Sequence, residues 1–301
     1  MDSISQQVIK LYWSPQVTPA LVENWNKVAD RVLGVSAKEQ ASVLQILKKR
    51  VTRMDTNNKT GISQEYHAFL CDKLFDLCAR HAKAIDQGFM EELIRNAQGF
   101  HLKVPEKENI NRLVDRLLGS KVVALPGKSI LLSLHHRMKN TDFTMAFQPE
   151  LDTWRELAGI LLRHGANVNE EDQGSGMSTL MHVVGKQWFV KNLTSGRVSN
   201  RGLHAIIQWL VNQGADINQR NREGNTPLAI SIMVFYLSSS SPFPFHLSPG
   251  QEINSELIPF LFDLGAMMVL AEEEGSQSKE DEWCSISTYK IIYPGEEEKK
   301  E

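Results

Sequence analysis

Apolar positions recur at helical spacing through most of the chain. Leu21, Trp25, Val28 and Val32 form one stripe, behind Thr18 as a cap and Pro19 at a first helical position. Ser36 and Glu39 make a capping box ahead of a second stripe, Val43, Leu44, Leu47 and Val51. Ser63 caps a third segment, which carries Phe69, Leu70, Leu74, Leu77 and Cys78 and extends through Ile85. GFMEELIRNAQG, residues 88–99, predicts a further helix. Later in the chain, Ile206, Ile207, Leu210 and Val211 again share one helical face. There the pattern breaks at GADINQRNREGNTPLA, residues 214–229. Gly214 can take the left-handed conformation that closes a helix. Asn221, Glu223 and Gly224 predict a polar turn, Thr226 a new cap, and Pro227 a new first turn.

The same succession occurs three times. AGILLRHGANVNEED spans 158–172, AIIQWLVNQGADINQRN spans 205–221, and IPFLFDLGAMMVLAEE spans 258–273. Their glycines, Gly165, Gly214 and Gly265, are 49 and 51 residues apart. The first two are followed by helix restarts, GMSTLMHVV at 176–184 and GNTPLAISI at 224–232. Repetition at a nearly fixed period predicts a solenoid. A fainter unit covers 113–136, where Gly119 and then Gly127, Ser129 and Leu131 fall at similar offsets.

These residues resemble the ankyrin repeat family. Its TPLHxA motif has counterparts in Thr226-Pro227-Leu228-Ala229 and Ser178-Thr179-Leu180-Met181, with the histidine replaced in both. Its GADVN has counterparts in Gly165–Asn169 and Gly214–Asn218, and a decayed one in Gly265-Ala-Met-Met. The family repeat is about 33 residues, so each unit here holds an insertion. The resemblance places these at 186–202 and 237–252, the second rich in serine and proline and expected not to continue a helix. It covers about residues 112–271 and implies a role for Gly165, Gly214, Thr226, Pro227, Leu228 and Gly265 in holding the repeat.

The expected fold is therefore all-α. A helical bundle over 1–111 precedes an ankyrin-like α-solenoid of three to four units with long insertions over 112–271. The final segment, 272–301, holds ten acidic and four basic side chains and is expected to be a solvated, partly disordered tail. Hydrophobic content of 42% and charged content of 23% describe a soluble folded protein. No apolar run is long enough to insert in a membrane, and the first 30 residues predict no secretory signal. The net charge of −3, concentrated in the tail, provides no basic footprint for nucleic acid.

Chemical signals are sparse. DTNNKTGISQE at 55–65 has the flavour of a calcium loop, but Thr60 and Tyr66 stand where glycine and an acid are needed. His135 and His136 point in different directions on a helix, with no cysteine or histidine cluster beside them. Leu125-Pro-Gly-Lys-Ser129 lacks the frame of a phosphate loop. Of the three cysteines, Cys71, Cys78 and Cys284, the first two could pair with His67, His81 or His101, with Asp72 or Asp76 as orienter. The simpler reading is two buried thiols on one helix face. No metal or other cofactor is expected.

The resemblance implies binding of another protein, by a module or adaptor that uses its turn tips and inner helices. The tips carry Glu170, Glu171 and Asp172 in one unit and Arg220, Arg222 and Glu223 in the next. Trp188 and Phe189 in one insertion, and Phe243 and Phe245 in the other, are aromatic anchors for a partner or seals on the solenoid's own edge. A different class of function is a host-directed bacterial effector with an enzymatic activity in 1–111. Degenerate ankyrin units beside an unclassified helical domain resemble such proteins, and Glu296–Glu298 and Glu301 resemble an acidic export signal. A self-associating scaffold is a third class. The adaptor reading places the protein in the cytoplasm. The effector reading exports it into a host cell without a classical signal peptide.

Overall fold

A computed structural model describes residues 4–12, 17–52, 63–81, 85, 88–99, 102–134, 148–185, 201–240 and 257–267. Among these the regular structure is all helical, and an isolated bridge between Glu171 and Ser178 is the one β pairing. The helices are α1 (Ile4–Tyr12), α2 (Pro19–Leu33), α3 (Ala37–Thr52), α4 (Gln64–Arg80), α5 (Gly88–Ala97) and α6 (Val104–Gly119). They continue as α7 (Ser129–Ser133), α8 (Gln148–Arg163), α9 (Thr179–Gly185), α10 (Arg201–Asn212), α11 (Pro227–Ser240) and α12 (Leu257–Asp263).

Their ends follow from local chemistry. Thr18 Oγ1 accepts the Leu21 N–H at 3.2 Å and Pro19 opens α2. Ser36 Oγ accepts the Glu39 N–H at 3.4 Å, but Glu39 Oε2 takes the Ser36 hydroxyl at 3.3 Å rather than its backbone N–H, so half of the expected capping box forms; Ser63 Oγ accepts the Tyr66 N–H at 3.2 Å. Thr226 Oγ1 accepts the Ala229 N–H, and Pro227 begins α11. The expected stripes of α2 and α3 are buried throughout, and so are Leu70, Leu74, Leu77 and Cys78 of α4, with Phe69 half-buried.

The helices pack in two rows. In one, α3 meets α5, α5 meets α7, and α9 meets α11. In the other, α4 meets α6, α6 meets α8, and α8 meets α10. Helices α1 and α2 pack on α3 at the start. The expected division at 111/112 falls inside α6, which runs unbroken and packs on α4 before it and α8 after it. One continuous buried core runs from Ile4 to Ala266, and Met1–Met268 form one compact unit. Residues 269–301 form a second unit, which lies outside the described residues, as does the tail expected at 272–301.

Two local expectations are corrected. In the 113–136 segment Gly119 ends α6 without a positive φ; the left-handed residues are Lys121 and Lys128, at φ 56° and 58°. The insertion expected from residue 237 starts later, because α11 continues to Ser240. Serine lowers helix propensity by only a few tenths of a kcal/mol, too little for Ser238, Ser239 and Ser240 to interrupt the helix.

Gly214 has φ of 91° and open space where a Cβ would sit. The cost of a side chain there is conformational, not steric. Gly214→Val should lower stability by about 1–3 kcal/mol, and Gly214→Asn by less, since asparagine tolerates this region. Urea unfolding of the two variants checks the order.

Candidate functional site

The turn tips are built by the same residues at each step. Helix α8 closes at Gly165 (φ 96°), α10 at Gly214 (φ 91°) and α12 at Gly265 (φ 94°). In each, the residue after the glycine donates back to the helix: Ala166, Ala215 and Ala266 reach Leu161, Leu210 and Leu261. This is the long-range bond of a left-handed helix cap. Four residues beyond the glycine stands an asparagine that grips the next tip. Asn169 Nδ2 donates to Gly214 O at 3.0 Å, and Asn169 Oδ1 accepts the Asp216 N–H at 2.7 Å. Asn218 repeats this, donating to Gly265 O at 3.2 Å and accepting the Met267 N–H at 2.8 Å.

Beyond the asparagines the chain projects as tight polar turns. In the first, the Asp172 N–H bonds Met177 O across the Glu171–Ser178 bridge. The Asp172 carboxylate accepts the Ser175 N–H and hydroxyl, both at 2.6 Å, and His182 Nε2 at 2.7 Å. Partial burial opposes its ionisation, but these donors and the nearby imidazole hold the carboxyl below the usual carboxylate range. In the second, Asn221 Oδ1 accepts the N–H groups of Glu223 and Asn225, and Gly224 (φ 82°) completes the turn.

The two turns also hold each other. The Arg222 N–H bonds Ser175 O, its guanidinium bonds Gly174 O at 3.1 Å, and Gln219 Nε2 bonds Glu171 Oε1 at 3.0 Å. Gly176 is required by that approach: a Cβ there would lie 2.7 Å from Arg222 Cγ and 3.1 Å from its backbone nitrogen. The structure thus brings Glu170, Glu171, Asp172, Arg220, Arg222 and Glu223 to one pair of tips. Glu170 and Asp172 are half-buried, and the other four are exposed. Arg220 is engaged by no hydrogen bond or ion pair, while Arg222 and Asp172 serve the turns themselves. Trp188, Phe189, Phe243 and Phe245 lie outside the described residues. Thr226 and Leu228 are buried, and Pro227 begins its helix.

The thiols sit elsewhere, between α3, α4 and α6. Cys71 Sγ lies 3.9 Å from His67 Nδ1, which also accepts Asn109 Nδ2 at 3.2 Å, while His67 Nε2 donates to Val51 O at 3.0 Å. Both ring nitrogens are therefore occupied, and burial holds the imidazole neutral by lowering its pKa. Burial, assisted by the Asp72 charge, pushes the Cys71 thiol far up, and burial pushes Cys78 up to about 12. Asp72 pairs instead with Arg116. The thiolate is the nucleophile, and these two cysteines, 4% and 0% exposed, are held as thiols. His101 lies outside the described residues, as do His135, His136 and most of the 55–65 loop. Among the described residues no group of three His, Cys, Asp or Glu side chains could hold a metal, and no helix is long and apolar enough to cross a membrane.

No family model and no curated protein matches the chain. The sequence pattern pointed to the tips by their glycines and charges. It missed the bracketing role of Asn169 and Asn218, although both close the GAxxN signature, and it missed the tie from His182 to Asp172.

Two measurements follow. In a Cys284→Ala background, Cys71 and Cys78 should react with a neutral-pH thiol reagent only as fast as the protein unfolds; rapid labelling of folded protein would show an accessible thiolate. Asp172 has a depressed folded pKa, so its contribution is complete above its unfolded pKa of about 4 and is lost as pH falls further. Between pH 5 and pH 3 the wild type should therefore lose more stability than Asp172→Asn, read by urea midpoints.

Proposed function

We propose that residues 112–271 form an ankyrin-like stack that binds another protein along its turn tips. The observation that carries this reading is the repeated bracket: Asn169 on Gly214 and Asp216, and Asn218 on Gly265 and Met267. It ties successive units at the same register, so their tips stand side by side along one edge. The left-handed glycines and the two rows of helices support the same arrangement.

Such an edge suits a protein partner better than a small molecule. Its exposed groups change along the edge, from Glu171 to Arg220, Arg222 and Glu223, over a distance set by the unit spacing. A partner must present complementary charges at that spacing, which confers selectivity and steers encounter. The internal bonds of the tips fix their backbone before binding, which lowers the ordering cost.

The test separates contact from support. Arg220 is exposed and free, so Arg220→Glu should weaken retention of a partner captured by the intact protein about threefold to tenfold, with the melting temperature unchanged. Arg222→Glu should weaken binding and also loosen the tips, because it removes the bond to Gly174. Unchanged binding by Arg220→Glu, with footprinting that maps contact only to 1–111, would move recognition to the first helices.

A further inference from the structure

We draw no further inference here: the strongest candidate, the exposed apolar patch at the last described helix pair, with Met233 of α11 38% and Met267 beyond α12 60% exposed, carries nothing, because nothing in the structure shows what covers it.

Discussion

The later half of the structure depends on one interaction, the asparagine side chain that bridges from each tip to the next. A helix that ends in a left-handed glycine exposes the glycine carbonyl and the N–H two residues on, with no partner in their own unit. The carboxamide supplies one donor and one acceptor, and it satisfies both with a single rotamer. Aspartate at 169 or 218 would offer only acceptors and would set a charged oxygen against a carbonyl. Because the bracket repeats between Asn218 and the last described tip, the geometry of one junction is imposed on the next. Insertions can then lengthen a unit without changing how its tip meets its neighbour. The bridged residues are 45 to 49 positions apart in the chain, yet they meet as adjacent turns.

The first helices join this arrangement through α6. Its buried face carries asparagines among the apolar residues. Asn111 donates to Thr153 O at 2.8 Å and to Glu156 at 2.9 Å, and Gln98, in the turn after α5, and Thr153 of α8 complete the cluster. Asn109, on the same helix, faces the other way and holds His67 of α4. Each is a buried polar group whose bonds exist only when both neighbouring helices are in register. Loss of either neighbour would strand amide groups in an apolar setting, at about 1–3 kcal/mol each. The boundary between the unrepeated and repeated parts is therefore the place where the two are most strongly coupled.

This explains what the sequence showed and what it hid. Helix faces were legible because burial selects apolar residues every three to four positions, and Trp25, Leu47 and Leu74 are all fully buried. Caps were legible because Thr18, Ser63 and Thr226 each act within three residues of themselves. Gly119 does end α6, as its offset suggests, but the left-handed turn is made two residues later by Lys121. Long-range polar contacts leave no periodic trace. Asn111 and His67 look like surface residues in a string of letters, since the groups they bond on neighbouring helices, Glu156 and Asn109, lie 45 and 42 positions away. The expected division at 111/112 falls within α6: a change in repeat pattern marks where similarity begins, whereas a physical boundary requires a gap in packing.

Under the proposed reading, the tips divide support and recognition among neighbouring residues. Asp172, Asn221 and Arg222 are spent on the turns, and replacing any of them would alter shape before it altered contact. Gln219 joins Glu171 across the two tips, so one of the acidic groups is already partly answered from within. A free charge at this edge is Arg220, which stands between the bracket and the second turn without a partner of its own. A surface organised this way keeps a rigid backbone and varies its outward side chains at little structural cost. If the proposed binding holds, other residues at the position of Arg220 would select a different partner while the asparagine brackets kept successive tips together.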